Sequence, residues 1–273
     1  MIRLAANLSF MFAELPFLKR FEAAARAGFR AVELSFAYDV TTGVLKKQLR
    51  DNDLTLVLVN TPAGDREAGE LGLAALPGRE SDAAAAFELA LDYAVALGAP
   101  LIHFLAGRPA ASSDPREVDA VFLKNLGRCA DLALKAKRVL TLEPLNRRDR
   151  PGYYLQSNDH ARSLIAASGR SNLKLQLDLY HCQISQGDLI RSIERDFALI
   201  AHVQIAGVPE RSEPSRGEIA FANVFARLES LGYSGYIGCE YTPASDTWSG
   251  LGWAIPYLKS ESRHRGPVSR PAR

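Results

Sequence analysis

The sequence predicts a single (β/α)8 barrel over residues 1–258, and three observations carry that reading. Short apolar strand-like segments alternate with helix-like segments eight times along the chain. The first strand-like segment lacks the glycine-rich phosphate loop expected of a doubly wound open sheet, the nearest alternative. The length, 273 residues with no linker that would split it, is ordinary for one such barrel.

Taken in order, residues 4–6 read as the first strand and 16–28 as the first helix. Pro16 stands where a first-turn proline is tolerated, and Gly28 where a C-terminal cap is wanted. Residues 31–34 are the second strand and 44–52 the second helix. The third strand, 55–60 (TLVLVN), is almost continuously apolar, as a parallel strand covered on both faces should be. A polar, glycine-dotted loop follows over 61–81, long enough to suggest a lid. Residues 81–98 form an Ala- and Leu-rich helix, 101–105 the fourth strand, and 114–137 a long helix with Pro115 near its start. The fifth strand is 139–143, and a loop through 147–152 leads to a helix at 158–168. The sixth strand, 173–178, alternates strictly: Leu173, Leu175 and Leu177 on one face, Lys174, Gln176 and Asp178 on the other. A helix at 188–197, a seventh strand at 199–205, a helix at 221–231, an eighth strand at 236–241 and a short helix at 251–257 complete the series. The Arg-, Ser- and Pro-rich tail, 259–273, is expected to be disordered.

Hydrophobic residues make up 47% and charged residues 23%, which fits a globular protein. The net charge of +2 is misleading, because the tail carries five Lys and Arg against one Glu. The barrel itself is therefore mildly acidic, which argues against a nucleic-acid partner. No stretch approaches a membrane span, and the apolar run at the N-terminus is too short for a signal peptide. Three well-separated cysteines, Cys129, Cys182 and Cys239, suit a reducing compartment, so a cytoplasmic location is expected. Barrel enzymes often pair, so a homo-oligomer is compatible with the chain.

Four late strands end in groups that could ligate one ion: Glu143, Asp178, Gln204 and Glu240. Each has a bland explanation as a helix cap, an ion-pair partner or an inward polar residue. Four at equivalent strand ends make a stronger case, since this end of a barrel forms the active site. Three carboxylates and an amide oxygen suit Mg²⁺ or Mn²⁺ better than zinc. Two glutamates across such an ion, Glu143 and Glu240, are placed to move a proton between neighbouring carbons through an enediolate.

The chain also resembles the hydroxypyruvate isomerase family, within the wider xylose isomerase-like barrel superfamily. The resemblance runs from about residue 2 to 254 and rests on AANLSFMF, NTPAGDREAGELGLAALPGRE, LEPLN, PGYYL, LQLDLYHCQ, HVQIAGVPERSEPSRGEI, GYSGYIGCEY and GLGW. It implies that Glu143 and Glu240 are the catalytic pair and that Glu143, Asp178, Gln204 and Glu240 form the metal site. It implies a small hydroxy-keto acid substrate, hydroxypyruvate converted to 2-hydroxy-3-oxopropanoate, with 2-oxo-tetronates as the substrates of close relatives.

Such a substrate needs a cation for its carboxylate. Arg211, in the loop after the seventh strand, is the first candidate, with Glu213 and Glu218 as partners in the same loop, and Arg79 is the second. His181 is placed to bond the substrate or orient Asp178, and His103 to face the site. Two positions depart from the family pattern: Ser212, where His is common, and Ala37, where Pro is common. A ketose 3-epimerase is the alternative within enzymes, although His is usual there at the position of Gln204. A repair endonuclease would need a histidine-rich multi-metal site, and this chain has five His in all. A non-catalytic sugar-acid binder is the remaining alternative.

Overall fold

In the computed structural model, which describes residues 1–264, eight parallel strands close into a barrel in chain order. The strands are β1 (Arg3–Asn7), β2 (Ala31–Leu34), β3 (Thr55–Asn60), β4 (Leu101–His103), β5 (Val139–Leu142), β6 (Leu173–Asp178), β7 (Ile200–Ile205) and β8 (Tyr236–Cys239). Closure is made by β1 against β8, with Ala6 opposite Cys239. The helices are α1 (Lys19–Ala27), α2 (Thr42–Asp51), α3 (Glu80–Leu97), α4 (Pro115–Lys135), α5 (Asn158–Ser168), α6 (Leu179–Ser185), α7 (Leu189–Asp196), α8 (Phe221–Ser230), α9 (Thr247–Gly250) and α10 (Ile255–His264). No helix among the described residues is long and apolar enough to cross a membrane.

The strand alternation sorts side chains into two environments. Leu173, Leu175 and Leu177 of β6 join the main core that packs the helices onto the barrel. A smaller apolar group, including Ala5, Ala31, Leu58 and Leu101, fills the barrel interior near the strand starts. Beyond it the interior turns polar: Asn7, Glu33, Thr141, Gln176, His202 and Gln204 are each fully buried. This polar filling reaches the C-terminal ends of the strands, where the site lies.

Several element ends differ from expectation for local reasons. The first helix starts at Lys19, and Pro16 lies outside it, its carbonyl accepting from the Lys19 amide at 2.8 Å. Gly28 does cap that helix, with φ 103° and its N–H bonded to the carbonyls of Ala24 and Ala25. Strands β5 and β8 stop at Leu142 and Cys239, so Glu143 and Glu240 are the first residues of their loops. Helix α6 was not foreseen: it has seven residues, too few to show a period, and begins directly where β6 ends. The expected short helix at 251–257 is a 3₁₀ turn, Leu251–Ala254, continued by α10. Helical backbone thus passes residue 258, while 265–273, the rest of the basic tail, lie outside the described residues.

The long loop over 61–81 is tied to the barrel rim. Gly72 makes an antiparallel bridge with Ala106, and the Ala75 amide donates to the Ala106 carbonyl at 2.7 Å. This seats Leu71 over the barrel mouth.

Candidate active site

Register brings the strand-end residues together. Asp178 is opposite Gln204 across β6 and β7, and Ile205 is opposite Cys239 across β7 and β8, one residue before Glu240. Of the four strand-end candidates, Glu143 and Glu240 line a cavity of about 80 Å³, whose other charged and titratable lining is His103, Arg150, His181 and Arg211. Phe10, Phe36, Leu71 and Leu105 form apolar walls.

Asp178 serves two purposes. Its Oδ1 accepts from the Tyr180 amide at 2.8 Å and so caps α6. Its Oδ2 is buried without a hydrogen-bond donor, as is Oε1 of Glu143. The other Glu143 oxygen, Oε2, accepts from Gln176 Nε2 at 3.0 Å. Glu143, Asp178 and His181 form a buried group whose ligand atoms lie within 4.8 Å of one another and could hold a metal ion. Two buried carboxylate oxygens without donors fit a cation, since burying such charges unpaired is costly.

The expected four-residue set does share one barrel mouth, but its ligand atoms do not all converge. Arg211 stands between two of the acids: Nη2 is 2.7 Å from Glu240 Oε1 and 3.8 Å from Asp178 Oδ2. Its guanidinium lies between the rings of Phe10, at 5.0 Å, and Tyr180, at 5.1 Å. Gln204 turns its amide away from Glu143 and Asp178. Its Oε1 accepts from Gln176 at 2.7 Å, while its Nε2 donates to Glu33 at 2.8 Å and Glu240 at 2.6 Å. Two carboxylates can only accept from an NH₂ group, which fixes that orientation.

Burial, and after it the crowding of acids around one arginine, sets the electrostatics. Burial, then Glu240 and Asp178, hold the Glu143 carboxyl well above the usual range. Burial pushes Glu240 up to about 8, against the pull of Arg211. Asp178 is raised by burial too, with Arg211 opposing. Burial and Arg211 hold His181 well below its ordinary value, so its imidazole is neutral. The Asn146 amide donates to His181 Nδ1 at 3.1 Å, which places the ring proton on Nε2, 3.7 Å from Asp178 Oδ2. His181 therefore offers the cavity an N–H, which takes it out of the metal-ligand set in this tautomer.

His103 faces the site, its Nδ1 3.2 Å from Glu143 Oε2, and burial beside His202 lowers it to about 3. Arg79 does not reach the cavity. It sits half-exposed at the start of α3, paired with Glu70 and Asp82, and fastens the loop over 61–81 to that helix. Glu213 and Glu218 do not pair with Arg211 either. Glu213 accepts from the Ala244 amide at 3.0 Å, and Glu218 from Gln183 at 3.0 Å. Ser212 is buried, its carbonyl accepting from the Gly207 amide, and Ala37 is buried in the turn after β2.

Sequence reasoning missed the polar layer beneath the acids. Glu33 bonds His202, Asn7 and Gln204 at once, and Gly238 leaves the space its carboxylate fills, since a Cβ there would lie 2.0 Å from Glu33 Oε1. A lone acid in an otherwise apolar strand was the available signal. Asn146 and Arg150, on the loop after β5, carried no signal of their own.

The comparisons with known proteins agree with this geometry. A family model described as Xylose isomerase-like TIM barrel matches residues 21–259. A 2-oxo-tetronate isomerase of Cupriavidus necator is 47% identical over 258 residues, covering 94% of this chain and 99% of that protein. The hydroxypyruvate isomerase of Escherichia coli is 42% identical, covering 94% of this chain and 100% of that protein. A crystal structure described as AP endonuclease, family 2 from Brucella melitensis superposes with a TM-score of 0.92 at 44% identity, covering 94% of this chain and 99% of that one.

Proposed function

Because this chain belongs to the xylose isomerase-like TIM barrel family, alongside hydroxypyruvate and 2-oxo-tetronate isomerases, we propose that it interconverts hydroxypyruvate and 2-hydroxy-3-oxopropanoate. The observation that carries this reading is the pair Glu143 and Glu240, both lining one small cavity and both biased towards the protonated form. Crowded acids that cannot all ionise supply one group to accept a proton and one to donate it.

One glutamate takes a proton from C3, the hydroxymethyl carbon, and the electron pair forms the C2–C3 double bond of an enediolate. The other returns a proton to C2, and the C3 hydroxyl proton passes to the C2 oxygen. His181, neutral and with its proton on Nε2, donates to the substrate oxygen that gains charge. Leu71 and the loop that carries it exclude water from the enediolate.

Glu143 and Asp178, whose Oε1 and Oδ2 lack donors, would hold a divalent ion, with Glu240 a further carboxylate at the same mouth, and this oxygen chemistry favours Mg²⁺ or Mn²⁺. When bound, that ion supplies charge stabilisation to the substrate oxygens. Gln204, whose NH₂ is held by Glu33 and Glu240 and whose oxygen accepts from Gln176, supports that group of acids from beneath.

The cavity, about 80 Å³, favours a three- or four-carbon acid over a ketohexose, which weighs against the epimerase alternative. A 2-oxo-tetronate is the second reading, favoured by the 47% identity to an isomerase of that name. The buried free thiols of Cys129, Cys182 and Cys239 support a reducing, cytoplasmic setting.

The test follows hydroxypyruvate and a 2-oxo-tetronate by proton NMR in D₂O, before and after metal stripping. The expected result is product from at least one acid, with deuterium entering at the reacting carbons. Glu143→Gln and Glu240→Gln are each expected to lower kcat by about 10²–10⁴-fold with unchanged circular dichroism. Full turnover of the acids by both variants would sink the proposal.

A further inference from the structure

The cavity contains two guanidinium groups, Arg150 and Arg211. Arg211 is committed to Glu240 and Asp178 and enclosed by Phe10 and Tyr180. Of the other arginines near the mouth, Arg79 is paired with Glu70 and Asp82, Arg148 with Asp149, and Arg147 with Gln156. Arg66 lies over the Phe36 ring on the exposed loop and does not line the cavity.

Arg150 differs from all of these. Among the described residues no carboxylate pairs with it, and its guanidinium makes one hydrogen bond, from Nη1 to the Asp149 carbonyl at 3.2 Å. Its backbone is fixed nonetheless. The Arg150 amide donates to the Asn146 carbonyl at 3.0 Å, and its own carbonyl accepts from the Tyr153 amide and from Gln156 Nε2. Asn146 is also the residue whose amide sets the tautomer of His181. One asparagine thus anchors both the turn bearing Arg150 and the ring that presents an N–H to the cavity. The two side chains are near enough for the Arg150 charge to disfavour protonation of His181.

We infer that Arg150 is the specificity-determining residue that binds the substrate carboxylate, with His181 meeting the oxygen beside it. In a 2-oxo acid the carboxylate and the 2-oxo group are on adjacent carbons, so neighbouring donors of these two kinds match neighbouring acceptors. A neutral ketose offers the guanidinium no charge, and the unpaired Arg150 then discriminates against it. This assignment rests on the isomerase reading, and the experiment separates the two.

Steady-state kinetics with hydroxypyruvate are compared for the parent, Arg150→Met, Arg150→Lys and the same-loop control Arg147→Met. Calorimetry measures D-glycerate, which shares the carboxylate and cannot isomerise in this way. Arg150→Met is expected to raise KM about ten- to hundredfold with little change in kcat, because a carboxylate contact is made in ground and transition states alike. Glycerate affinity falls in parallel, Arg150→Lys recovers part of both, and Arg147→Met behaves as the parent. The ratio of kcat/KM for hydroxypyruvate to that for dihydroxyacetone, in which a hydroxymethyl replaces the carboxylate, falls about ten- to hundredfold in Arg150→Met. An Arg150→Met enzyme that retains the parent's KM and glycerate affinity overturns the assignment while leaving the isomerase reading intact. A parent that binds glycerate through Arg150 but turns over neither keto acid keeps the anchor and overturns the isomerase reading.

Discussion

At the scale of single residues, the site is a set of buried titratable groups whose charges are only partly balanced. His103 and Glu240 respond to pH with opposite signs. His103 has a folded value of about 3 against about 6.5 in the unfolded chain. Its stabilisation is complete above that unfolded value and is lost as pH falls towards 3, because only the unfolded chain takes up the proton. Glu240, raised to about 8, stabilises the fold while protonated, and that contribution drains as pH rises from about 4.5 to about 8. His103→Gln, neutral throughout, is therefore expected to flatten the acid side of the urea-midpoint profile between pH 6.5 and 3. An unchanged slope in that window would remove His103 from the account. The acids at strand ends were legible in the sequence because a carboxylate closing an apolar strand stands out. The partners that tune them were not. Arg211 reaches Glu240 and Asp178 across 29 positions and more of chain, and no local pattern encodes that meeting.

At the scale of elements, the strand ends and the first residues past them bring chemical groups to the mouth, and the loops that follow decide how they are held. Asp178 shows both at once, as the last residue of β6 and the cap of α6. The loop over 61–81 depends on Gly72, with φ 110°, where an added Cβ would lie 2.4 Å from the Leu105 carbonyl oxygen. Neither the backbone conformation nor the space admits a side chain. Gly72→Ala is expected to unseat this loop, with nicking by trypsin at Arg66 or Arg79 about tenfold faster and kcat/KM reduced, while the barrel's unfolding midpoint moves little. Protection equal to the parent's would show that the loop is held elsewhere. Strand positions were readable because apolar runs and alternation are local properties. Helix ends were read less well: the turn after Pro16 and the seven-residue α6 are set by tertiary packing that no short window contains.

At the scale of the molecule, the closed barrel leaves no free strand edge, and the interior is polar where chemistry is wanted and apolar elsewhere. The three thiols report on this closure. Cys129, Cys182 and Cys239 are all buried, and burial pushes the first two up to about 12 and about 11. Ellman's reagent is expected to label none of them in the native protein within minutes and all of them in denaturant; rapid native labelling of any one would reveal local opening near it. The barrel was legible from the eightfold alternation, because that rhythm is a property of the whole chain rather than of any one segment.

The join between β1 and β8 has a further meaning for synthesis. Asn7, the last residue of the first strand, donates to Glu240 from 233 positions away, and Glu14 and the amide of Phe12 are bonded to Thr247. On a ribosome the opening strand and Glu143 emerge long before their counterparts. Glu143 and Glu240 cannot come to one cavity until the eighth strand leaves the exit tunnel and docks.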